Sequence, residues 1–204
     1  MRRVYIAFLA ADNYMGKFIR YFTRNEFSHV ALSFDDSLTL MYSFARRQKK
    51  SPLVGGFVTE TPARYFDMDG PVPLKIAEMS VEDSQYDGIR SLIAEYINRQ
   101  DELIYNSADA LFSLFGARVR IKDSHTCVSF VASLFGFDKV KRVVDIERIV
   151  QKNIIYSGDL KEYVKEPTKE ASFYFKPLKM RAVAAGTLRH FCRLVARYVA
   201  GLTA

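Results

Sequence analysis

For its first eighty residues the chain is cut into short apolar runs of strand length, and from Ser80 the spacing of apolar residues turns helical. Strands grouped first and helices after them point to an α+β fold with a mainly antiparallel sheet packed with helices, because consecutive strands joined by short turns pair with one another. Residues 3–10 read as a buried strand from their length and their β-branched and aromatic content. "MGKFIRYFT" has apolar positions at helical spacing. Residues 28–34 and 38–45 flank Asp35-Asp36-Ser37, which predicts a hairpin. "GGFVTETP" gives a short strand closed by Pro62, and "VPLKIAEM" gives another.

Ser80-Val81-Glu82-Asp83 has the form of a helix cap, an acid three residues after a serine, so a helix is predicted from Ser80 through "QYDGIRSLIAEYINRQ". Residues 105–115 predict a second helix ending at Gly116, and residues 126–136 a short apolar one stopped by Gly136. "ARVRIKDSH" reads as a connector between them. "IVQKNIIYSGDLKEYV" carries no strong signal. "ASFYFKPL" suggests a last strand, and residues 179–202 a long basic helix. The expected organisation is one domain over residues 1–178 and a helical appendage over 179–204.

A chain of 204 residues, about half of them hydrophobic, can bury a sizeable core. Its net charge of +7 favours anionic partners, nucleic acid or a membrane surface, and equally serves general solubility. Nucleic acid is disfavoured, because no zinc-finger spacing, RNA-recognition signature or long Lys/Arg tract occurs. Two cysteines, Cys127 and Cys192, imply no disulfide framework and point to a reducing, cytoplasmic setting. No apolar run reaches membrane-spanning length. The start, "MRRVYIAFLAADN", is similar to a signal peptide, but its apolar stretch is at the short limit and reads better as a strand.

Chemistry centres on two residues. His29 opens the apolar run Val30-Ala31-Leu32, and Cys127 lies in the first turn of a predicted helix, after Ser124-His125-Thr126. A helix N-terminus offers partial positive charge and free amide donors, which stabilise a thiolate and can hold an oxyanion. Position alone also fits a small buried hydrophobe, the usual fate of a free cysteine. His125 is too close along the chain to be an ideal base and reads as a loop residue. Asn106 reads as a helix cap, and either Tyr105 or Asn106 could line a site.

The order "FSHVALSFDDSLTLMYSFARR", then "YNSADALFSLFG", then "HTCVSFVASLFGF" resembles the circularly permuted branch of the NlpC-type papain-like superfamily. That branch includes the bacterial YiiX/YebB-like proteins and lecithin:retinol acyltransferase. The likeness covers roughly residues 3–160. It implies a permuted papain-like fold, with Cys127 as nucleophile and His29 as base. It also implies hydrolase or acyltransferase activity on an amide, ester or thioester, with no metal or organic cofactor. A third polar residue on the strand after the histidine usually orients the imidazole. By that rule it is Ser43, with Tyr42 the alternative, since strand register decides which side chain faces inward. A serine stabilises an imidazolium less than a carboxylate does, which leaves open a binding module that holds a lipid or peptide in the same cleft.

The final segment has apolar residues at 184, 188, 191, 195, 198 and 202, with Arg189, Arg193 and Arg197 on another face. Such a helix lies on an anionic membrane or packs on its own domain or on a second subunit of a homodimer. Arg46, Arg47, Lys49 and Lys50 form either a solvated loop or an anion-binding rim.

Overall fold

The computed structural model describes residues 1–10, 16, 20–21, 24–51, 54–167 and 172–202, the side chains at 172, 173 and 202 excepted. The helical spacing of "MGKFIRYFT" falls largely outside the described residues. A six-stranded, wholly antiparallel sheet forms from β1 (Arg2–Leu9), β2 (His29–Ser33), β3 (Met41–Arg46), β4 (Gly55–Glu60), β5 (Pro73–Val81) and β8 (Ile154–Asp159), in the order β4-β3-β2-β1-β5-β8. The β2–β3 turn is closed by Asp35, whose carboxylate accepts from the Thr39 amide.

Helices cover both faces of the sheet, which explains why β1 is a continuous apolar run and not an alternating one. On one face Val4, Ile6, Phe8, Val30, Leu32, Phe44 and Phe57 pack with Ile89 and Ile93 of α2 (Asp83–Asn98) and with Phe130 and Val131 of α4 (Cys127–Phe135). On the other, Tyr5, Ala7, Leu9, Ala31, Met41 and Ile76 meet Tyr65 of α1 (Ala63–Phe66) and Leu160 of α6 (Leu160–Tyr163). The register puts Leu9 beside His29, so the histidine is fixed next to the central strand.

Between α2 and α4 the chain forms β6 (Ile104–Tyr105), α3 (Ser107–Phe112), a 3-10 turn (Ser113–Phe115) and β7 (Ser124–His125). β6 and β7 pair in parallel, Tyr105 opposite His125. Gly55 and Gly56 let this segment approach the sheet closely. A Cβ on Gly55 would stand 2.8 Å from the Tyr105 Cβ, and one on Gly56 would collide with the Leu103 carbonyl. α5 (Val143–Ile149), a 3-10 turn (Gln151–Asn153), α7 (Ser172–Phe175) and α8 (Met180–Leu202) are the remaining elements among the described residues.

Several boundaries differ from the sequence expectation. Ser80 pairs with Arg3 and Val81 with Arg2, so β5 consumes the expected cap and α2 starts at Asp83. The helix expected over 105–115 gives up Tyr105 to β6 and starts at Ser107. "IIYSGD" supplies the edge strand β8. In the segment expected as a last strand, residues 172–175 form a helical turn instead, which buries Tyr174 under the Arg64 guanidinium, 4.2 Å from its ring centre. Aromatic content favours strands only where a neighbouring strand is there to receive it.

Candidate functional site

Cys127 is the first residue of α4. Thr126 caps the helix: its hydroxyl accepts from the Ser129 amide at 3.0 Å, and the Ser129 hydroxyl accepts from the Thr126 amide at 2.9 Å. This reciprocal cap fixes the first turn. The amides of that turn lack intrahelical acceptors and point outward from the helix end. Gly136, left-handed at φ 68°, ends the helix where the sequence expects.

His29 is the first residue of β2 and is buried. Its Nε2 lies 2.7 Å from Oε1 of Glu60, and its ring lies close enough to the Cys127 side chain for the two to interact electrostatically. With Nε2 committed to Glu60, Nδ1 is the ring nitrogen left for the thiol. The histidine and the cysteine singled out in the sequence therefore meet, although they are 98 residues apart.

The imidazole's hydrogen-bond partner differs from the residue expected to orient it. Glu60, the last residue of β4, takes that place, and Ser43 donates to the same carboxylate oxygen at 2.7 Å. Ser43 therefore reaches the imidazole's partner and not the imidazole. Tyr42 is directed to the other face of β3, where it stacks on Phe57 and meets the edge of Phe34. The second Glu60 oxygen accepts from the Tyr65 hydroxyl at 3.0 Å and lies 3.6 Å from the Arg64 guanidinium. The short helix after Pro62 bends these two residues back over the strand end. Glu60 is thus a buried carboxylate with both oxygens engaged, the condition under which a buried charge is tolerated.

The electrostatics follow from this enclosure. Burial alone would push the His29 imidazole down, but the Glu60 carboxylate and the Cys127 contact outweigh it and raise its pKa to about 10. Burial would raise Glu60, but His29 and Arg64 hold it down at about 2. His29 therefore rests as an imidazolium at neutral pH, paired with carboxylate.

Sequence reasoning missed Glu60 because it lies on a different strand from Ser43, and only the β3–β4 register brings the two together. Met41 pairs with Glu60 and Ser43 with Val58, which puts Ser43 and Glu60 on one face. The available signal was a lone acid ending the apolar run "GGFVTE", with Arg64 and Tyr65 just beyond.

Tyr105 lines a narrow pocket at Cys127 together with Ser28, Thr126, Lys141 and Arg142. Burial, followed by the nearby Cys127 and Asp109, pushes its hydroxyl well above the ordinary tyrosine value. Asn106 caps α3, accepting from the Asp109 amide and donating to the Val119 carbonyl, and lines a separate pocket with His125. His125 is a strand residue and not a loop residue. It sits against the Phe44 ring at 5.0 Å and within 3.3 Å of the Tyr96 hydroxyl, and burial lowers its pKa.

The basic segment after β3 is largely engaged within the chain. Arg47 bonds Asp101 and the Gln100 and Leu103 carbonyls, Lys49 pairs with Asp67, and Arg46 bonds the Lys49 carbonyl. In α8, Arg193 and Arg197 donate to backbone carbonyls of residues 101–102 and 122–123, whereas Arg189 is exposed. Among the described residues no helix is long and apolar enough to cross a membrane. A scan of the chain against protein-family models matches none, and searches of curated proteins and of solved structures likewise match nothing.

Proposed function

We propose that the protein is a cysteine hydrolase or acyltransferase of permuted papain-like type, acting on an amide, ester or thioester through an acyl-enzyme on Cys127. The observation that carries this reading is the buried chain Cys127–His29–Glu60, set at a helix start and a strand start. A cysteine beside an imidazolium and a helix N-terminus is favoured as thiolate, the nucleophilic form. A carboxylate behind the imidazole holds its orientation and steadies its positive charge, the general logic of a nucleophile–base–orienter triad.

In this mechanism the Cys127 sulfur bonds to the substrate carbonyl carbon while the proton that left the thiol resides on His29. The carbonyl oxygen becomes an oxyanion and is held by the Cys127 amide. His29 gives its proton to the departing amine, alcohol or thiol, and the carbonyl re-forms as a thioester on Cys127. Water or another nucleophile then attacks that thioester, passing a proton to His29 and expelling Cys127. The alternative, a module that binds a lipid or peptide in the same cleft, draws its support from a serine in the orienting place, and the Glu60 carboxylate beside His29 favours the enzyme reading.

Incubation with a panel of activated acyl esters, followed by intact-mass measurement, tests the reading. Wild type is expected to gain one acyl mass, localised to Cys127 by peptide mapping, and Cys127→Ala to gain none. Equal acylation of both proteins would count against it.

A further inference from the structure

The orientation of α8 runs opposite to what an amphipathic helix on a folded domain normally adopts. The face that docks is 183, 186, 187, 190, 193, 194 and 197. It is held by the Arg193 and Arg197 bonds to backbone carbonyls, by His190 Nε2 at 3.0 Å from the Tyr105 carbonyl, and by Leu194 buried with Ile104 and Ile121. The apolar stripe faces outward: Leu188 is 65% exposed, Phe191 61%, Val195 45%, Tyr198 46% and Val199 52%. Large apolar side chains grouped at helical spacing and left in water mark an interaction surface.

Charge identifies the occupant. Six of the 30 Lys and Arg and none of the 23 Asp and Glu lie in residues 171–204, so this segment carries six of the seven net positive charges of the chain. Arg181 and Arg189 are exposed on the outward side of the helix, and Lys179 precedes its first turn. A second copy seated face to face would bring like charges together, with no acid on the helix to pair them. An anionic bilayer satisfies both features at once, taking the apolar stripe into the headgroup–acyl boundary and the cations at its phosphates.

We infer that the outward face of α8 is an in-plane docking surface for an anionic lipid membrane, with Arg193, Arg197 and His190 serving as the clamp that turns the apolar stripe outward. This inference does not depend on catalysis by Cys127. His190 also ties the helix to the strand that carries Tyr105, so a docked helix fixes the Cys127 pocket relative to the lipid surface.

The test is cosedimentation of the full chain with phosphatidylserine/phosphatidylcholine vesicles and with pure phosphatidylcholine vesicles, at low and high salt. Sedimentation velocity without lipid runs in parallel. The expected result is binding to the anionic vesicles that weakens with salt. Leu188→Ser/Phe191→Ser/Val195→Ser is expected to weaken it on the order of a hundredfold, and Arg181→Gln/Arg189→Gln about tenfold or more. Because all five side chains are exposed, the thermal midpoint should hold in both variants. Absence of vesicle binding by wild type, or binding equal in the triple variant, would overturn the proposal. So would a lipid-free dimer that the triple substitution dissociates, which would assign the face to a second copy.

Discussion

Glu60 holds the account together at the residue scale. It receives His29, Ser43, Tyr65 and Arg64 around one carboxylate that is almost wholly excluded from water. Removing one partner of a buried pair leaves the other charge uncompensated and costs about 3–5 kcal/mol. Glu60→Ala is therefore expected to lower stability by about that amount in urea denaturation, well beyond the effect of an exposed carboxylate. The pH dependence has a definite sign. His29 is raised above its ordinary 6.5, so its contribution is complete below that value and is lost as pH rises through about 10. Glu60 is lowered from its ordinary 4.5, so its contribution is complete above that value and is lost as pH falls through about 2. The stability difference between wild type and Glu60→Gln should therefore be largest between 4.5 and 6.5 and shrink toward both extremes. A difference that keeps rising with alkalinity would contradict the ion pair.

At the scale of elements, each partner is set by an end: Cys127 by the start of α4, His29 by the start of β2, Glu60 by the end of β4. The ends were unequally legible. The cysteine helix was readable because Thr126, the apolar run and Gly136 bracket it. His29 was readable because it leads an apolar strand. Glu60 was not, because its role depends on pairing between β3 and β4, and a single sequence does not specify which neighbouring-strand residue lands beside Ser43. The same reason hid β8, an edge strand whose side chains are half exposed and lack alternation strong enough to signal it. Thr126→Ala should cost about 1 kcal/mol by loss of the cap, with a measurable drop in Cys127 acylation because the first turn frays. Gly55→Ala should do more than a surface glycine change, since the added Cβ meets the Ala45 carbonyl and the Tyr105 Cβ and pushes Tyr105 away from the sheet. The check is a lowered thermal midpoint together with altered Cys127 reactivity.

Over the whole molecule, the sheet is a partition with helices on both faces, and the candidate site sits where β2, β4 and α4 converge. The antiparallel α+β class was legible from the grouping of strands before helices. The orientation of α8 was not, because its hydrophobic periodicity shows that an apolar face exists and leaves open whether that face turns inward. Backbone carbonyls at residues 101–102 and 122–123 decide this by capturing Arg193 and Arg197, an interaction that leaves no hydrophobic pattern in the sequence. The central claim, that His29 activates Cys127, is tested most directly by the pH profile of iodoacetamide alkylation, read at each cysteine by peptide mass. Profile midpoints are compared, since Cys127 is buried and Cys192 exposed and their absolute rates differ for that reason. His29→Ala is expected to move the Cys127 profile to higher pH than in wild type, while the Cys192 profile stays unchanged. Superimposable Cys127 profiles in wild type and His29→Ala would contradict it.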